Sequence, residues 1–115
     1  MTRARQRLGA YGEGVAARFY LAHGYELLDR NWRVREGELD LICRRGGDLV
    51  FVEVKTRSSN RFGTGAEAVT PVKQQRIRRL ALLWLRSSDA SYRSVRFDVV
   101  VVDARGNVRP FKNAF

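Results

Sequence analysis

The chain has a single cysteine, Cys43, a single histidine, His23, and two prolines. A lone cysteine cannot form an internal bridge, and such use fits a reducing compartment. No apolar run approaches the length that spans a bilayer. The basic segment Thr2 to Arg7 is not followed by an uninterrupted apolar stretch with a cleavage site, so no secretory signal is read. A cytoplasmic protein without a membrane partner is expected. Internal repeats and low-complexity tracts are absent, which removes solenoid architectures. Acidic residues are scarce: 12 Asp plus Glu stand against 22 Lys plus Arg, a net charge of +10. Lysine is scarcer still. Only Lys55, Lys73 and Lys112 occur, so arginine supplies 19 of the 22 basic groups. Arginine forks suit bidentate phosphate contacts. The imbalance favours a polyanion partner, with nucleic acid ahead of an anionic membrane because no basic amphipathic segment stands free of the fold. An arginine-rich genome would inflate the same count.

What is present suits one small domain, residues 1–115. A hydrophobic fraction of 44% is ordinary, and a core of this size needs no disulfide or structural metal. The spacing predicts a helix from Ala4 to His23, with Leu8, Tyr11, Val15, Phe19 and Ala22 as its apolar stripe. Gly24 is placed as its left-handed cap, and His23, near that terminus, is read as structural. Tyr25 to Arg33 is expected as an irregular strand. Ser58 to Ala68, rich in Ser, Gly and Asn, is expected as a flexible loop. Thr70 and Pro71 open a second helix running to Arg86, as N-cap and first helical residue. Its buried stripe is Ile77, Leu80, Ala81 and Trp84. Val95 to Val102 reads as a central strand buried on both faces, and Val108 to Phe111 as a short last strand. The order of elements indicates an α/β sandwich with a central mixed sheet flanked by helices.

The chemistry concentrates in a hairpin. Gly46-Gly47 is a two-residue turn signal between alternating flanks, Gly37 to Arg44 and Leu49 to Arg57. Folding there pairs Arg45 with Asp48. Asp40 then falls opposite Glu53, and Glu38 opposite Lys55. Leu39, Leu41 and Cys43 face Val54, Val52 and Val50 on the other side, where Cys43 acts as a small core hydrophobe. Opposed carboxylates need a shared proton or a cation. A hard divalent ion such as Mg²⁺ is bound by one or two carboxylates with water and phosphate oxygens. Lys55 projects from the face of Glu53 and is placed to orient a water or steady a phosphate. Glu38 takes a supporting role as the ion-pair partner of Lys55. Asp98, in an Arg-Phe-Asp setting, is read as a structural hydrogen-bonding group.

Glu13 lies in the first helix among Gly9, Gly12, Gly14, Ala16 and Ala17. Three glycines cost a helix roughly 1 kcal/mol each relative to alanine, which suggests a close approach of backbone. Glu13 is then either a third carboxylate of the hairpin site or a surface group paired with an arginine, and periodicity leaves both open.

Taken together, Gly12-Glu13, Gly37 to Asp40, Val52 to Arg57, the Ser58 to Gly65 loop, Lys73 to Arg76 and Arg96 to Val99 resemble the YraN-like family of small bacterial proteins. The same residues resemble the PD-(D/E)xK nuclease superfamily. The likeness runs from about Gly9 to Val102 and departs from the motif's name in having Leu39 where proline is written. It implies a restriction-endonuclease-like fold, similar to archaeal Holliday-junction resolvases. It also implies Glu13, Asp40 and Glu53 as Mg²⁺ or Mn²⁺ ligands and Lys55 as the catalytic lysine.

The leading expectation is an Mg²⁺-dependent, structure-specific nuclease, with DNA favoured over RNA. Arg57, Arg61, Lys73, Gln74 and Arg76 are the expected nucleic-acid contacts; Lys73 and Gln74, at the start of the second long helix, are in reach of either the carboxylate site or a phosphate. A two-fold homodimer would suit symmetric cutting of two strands. The alternative is a module that keeps the fold and binds nucleic acid without cutting. A third reading is a scaffold whose acids and lysine form only ion pairs.

Overall fold

The computed structural model describes residues 3–58 and 69–115. The chain runs α1 (Arg3–Ala22), β1 (Glu26–Val34), β2 (Gly37–Arg45), β3 (Asp48–Arg57), α2 (Pro71–Ser87), β4 (Ser94–Asp103) and β5 (Val108–Phe111). The strands form one sheet in the order β1-β2-β3-β4-β5. β3 and β4 are parallel, joined by the crossover that carries α2, and every other pair is antiparallel. Arg61 and most of the Ser58 to Ala68 segment lie outside the described residues. No described helix is long and apolar enough to cross a membrane.

Strand periodicity divides the core in two. On one face Leu49, Phe51, Val99 and Val101 pack with Ile77, Leu80, Ala81 and Trp84 of α2. On the other face Val50, Val52, Val100 and Val102 pack with Ala16, Ala17 and Tyr20 of α1. Side chains alternate along each strand, so one apolar run in β4 feeds both clusters, as a strand covered on both faces requires. The molecule is therefore a three-layer α/β sandwich with a mixed central sheet. Cys43 is buried in the α1-side cluster.

α2 matches its expected stripe residue for residue. Thr70 caps it, its Oγ1 accepting the Lys73 N–H at 3.2 Å, and Pro71 follows in the first turn. α1 departs from expectation. Tyr11 and Ala22 are exposed and Leu8, Val15 and Phe19 only half-buried, while Gly12, Ala16, Ala17 and Tyr20 face the sheet. The small residues, not the large ones, form the contact face. A Cβ at Gly12 would overlap the Thr56 side chain on β3, so glycine sets how closely the helix lies on the strand. His23 is structural as expected: its Nδ1 donates to the Phe19 carbonyl at 2.7 Å.

Asp98 is fully buried and fully employed. It accepts from Tyr20 Oη at 2.7 Å, from Arg96 at 2.8 and 3.0 Å, and from the Asn113 N–H at 3.0 Å. It ties α1 and the chain end to β4, and belongs to the frame.

Candidate functional site

The β2–β3 ladder begins at Arg45–Asp48 and its last pair is Leu41–Val52. This is the register the hairpin turn predicts. The next rung would set Asp40 opposite Glu53. Instead the Asp40 side chain reaches across, and its Oδ2 accepts the backbone N–H of Val54 at 2.8 Å. A carboxylate replaces a backbone acceptor, and the strands part into a fork. Each arm is held from outside. β2 remains paired to β1 through Trp32–Leu39 and Arg33–Glu38, and β3 to β4 through Glu53–Val99 and Lys55–Val101.

The parting turns β2 about Asp40. Leu41 and Cys43 belong to the α1-side cluster, but Leu39 packs on the α2 side. The expected alignment of Leu39 with Val54 therefore fails, and the Glu38–Lys55 ion pair with it. Glu38 bonds Arg33 of β1 instead, at 2.8 Å. The strand no longer continues the flat hairpin on which that pairing was counted.

Four acids gather at the fork from three elements. Glu13 of α1 and Glu38 and Asp40 of β2 each offer a carboxylate oxygen, all within 4.8 Å of one another. Glu53 of β3 hydrogen-bonds Asp40. Burial, and then the charge of Glu53, push the Asp40 carboxyl up to about 8, while the Val54 N–H works the other way. Near neutrality the Asp40 carboxyl therefore keeps its proton. Burial also raises Glu13, with Glu38 adding to it; an Asn31 side-chain hydrogen bond opposes the rise. Asn31 adopts a positive φ of 52°, a conformation asparagine tolerates, within β1. Glu13 is thus drawn into the acidic group. A groove of about 410 Å³ opens beside these acids, lined by Gln6, Ala10, Asn31 and Arg33 with Glu13 and Glu38. All the donors are carboxylate oxygens, a set that fits a hard divalent cation.

The cationic side comes from β3 and α2. Lys55 is half-buried; burial first, and the neighbouring Lys73 second, hold its ammonium below the usual range. Lys73, in the first turn of α2, places Nζ 2.8 Å from Glu53 Oε1. Burial works against its charge, but the bond to Glu53 prevails and raises it. Of the two destinations expected for Lys73, the site or a phosphate, the structure shows the first: it sits against an acid of the fork. Gln74 is directed inward, its Nε2 donating to the Val69 carbonyl at 3.0 Å. Arg57 and Arg76 are exposed. The sequence put Lys73 within reach of the site but did not name Glu53 as its partner. The available signal was a cation in the opening turn of a helix whose first turn holds no acid.

The model of the uncharacterised protein family UPF0102 matches residues 12–102. A UPF0102 protein of Frankia alni is 60% identical over 87% of this chain and 83% of its own length. Another, from Beutenbergia cavernae, is 58% identical over 87% of this chain and 85% of its own. A third, from Nocardia farcinica, is 57% identical over 92% and 84%.

Proposed function

From the premise that the chain belongs to the uncharacterised protein family UPF0102, whose matched region holds all four acids and both lysines of the fork, we propose a metal-dependent nuclease that acts on DNA in preference to RNA. The observation that carries the reading is the interrupted ladder. It brings Glu13, Glu38 and Asp40 within 4.8 Å of one another, with Glu53 and Lys55 beside Asp40, on a chain of net charge +10.

Glu13, Asp40 and Glu53 would hold Mg²⁺ or Mn²⁺, which when bound activates a water and stabilises charge on the phosphate. Asp40 gives up its proton as the site fills, because a carboxylate must be ionised to act as a ligand. Lys55 lies beside both acids, where it can donate to a phosphate oxygen or orient the attacking water. Arg33 borders the groove and Arg57 follows β3 out of the fork, both placed for phosphate-backbone contacts. Such binding weakens steeply with salt. The resemblance to Holliday-junction resolvases supports a structure-specific substrate.

The test is a panel of junction, flap, duplex and single-stranded DNA, with matching RNA, in Mg²⁺ or Mn²⁺. Cleavage abolished by Asp40→Asn supports the proposal. Salt-sensitive binding without cleavage across the panel would replace it with the non-cutting module.

A further inference from the structure

The chain has only three lysines, and one of them, Lys73, pairs with Glu53 while a second, Lys55, stands close by. Lys73 occupies the third residue of α2, where its N–H bonds the Thr70 cap. That position commonly takes Glu or Gln, which can return a bond to the cap. The dipole at a helix start also disfavours a cation. Lys73 breaks both preferences in a chain that elsewhere uses arginine, and it places a second ammonium beside Lys55. Its compensating contact is Glu53, whose side chain is 8% exposed while that of Lys73 is 36% exposed. Local rules broken together at one residue mark a position kept for something other than helix stability.

Lysine also differs from arginine in what it can release. A guanidinium would grip a carboxylate through two parallel bonds, whereas an ammonium is a point charge on a flexible stem. The Lys73 contact is to one oxygen, Oε1, from a side chain that stays partly exposed. Resting on the metal-site reading above, we propose that Lys73 is a positioning residue that competes with the divalent cation for Glu53. Its ammonium holds Oε1 in the metal-free protein and yields that oxygen when the cation enters. The buried acid is thereby held in place without being blocked permanently.

Competition gives a readout independent of cleavage. Mn²⁺ is titrated into wild type, Lys73→Met and Lys73→Arg by calorimetry and electron paramagnetic resonance, with no nucleic acid present. Lys73→Met removes a charge that the helix start disfavours, so α2 is retained; circular dichroism checks this. It should bind Mn²⁺ roughly three- to tenfold more tightly than wild type, the range expected for losing a partly buried competing pair. Its Mn²⁺-induced rise in melting temperature should also be larger. Lys73→Arg, which keeps the competitor and grips harder, should bind no more tightly than wild type. Equal Mn²⁺ affinity in wild type and Lys73→Met overturns this inference alone. No Mn²⁺ binding by any of the three overturns the metal site as well.

Discussion

Asp40 bonds the Val54 amide through its side chain, where a regular ladder would place a backbone carbonyl. One carboxylate thus has two duties. It satisfies an amide at the end of the shared ladder, and it crowds its carboxyl against Glu13, Glu38 and Glu53.

Asp40→Asn and Asp40→Ala separate these duties. Asparagine retains an oxygen for the Val54 N–H and relieves repulsion with Glu53, so stability should hold or rise at pH 8. Alanine leaves a buried donor unpaired and should cost about 1–3 kcal/mol. Urea denaturation of both variants measures the difference. Equal stabilities would show that the Val54 bond contributes little.

Metal-free stability should fall as pH rises from about 5 to about 8. Asp40 in the folded chain is raised from 3.8 to about 8, first by burial and then by Glu53. The folded state therefore binds this proton more tightly than the unfolded state. Between the two values unfolding releases a proton, so stability declines with pH, fully present below the lower value and lost through the upper. Thermal melts across this window should slope downward in wild type and be flatter in Asp40→Asn. Added Mn²⁺ should restore most stability at the alkaline end.

Gly12→Ala should destabilise even though alanine favours helices. The new methyl meets Thr56 on β3, and overpacking of this kind costs about 1–3 kcal/mol against a gain of about 1 kcal/mol in propensity. Thr56→Ala on the same background should recover much of the loss. A double-mutant cycle by chemical denaturation tests the contact, and additive effects would dismiss it.

Asp98→Ala should cost roughly 3–5 kcal/mol, because Arg96 and two further donors lose a buried acceptor. Mn²⁺ affinity should remain unchanged in the variant while it stays folded. Loss of metal binding at temperatures well below its melt would place Asp98 in the site.

The hairpin register was legible because a Gly-Gly turn and a period of two leave one alignment that buries the valines. The α2 stripe was legible because large apolar residues at helical spacing have one face to bury. α1 was misread because hydrophobic pattern weighs Leu8 and Phe19 above Gly12 and Ala16, while close approach selects for smallness. Leu39 and Glu38 were misplaced because their orientation depends on one side chain intercepting a backbone amide, which no periodicity encodes. The irregularity of β1 was legible; its location at Leu28, between the pairs Leu27–Cys43 and Asp29–Ile42, was not.

The two helices lie on opposite faces of the sheet, and the fork lies between them. Glu13 arrives from one layer and Lys73 from the opposite layer, and both interact with Glu53. Here the partition becomes a window, and anything lodged in it touches both outer layers. Occupancy would therefore brace two otherwise independent cores together, and slower amide exchange in α1 and α2 alike would be its signature.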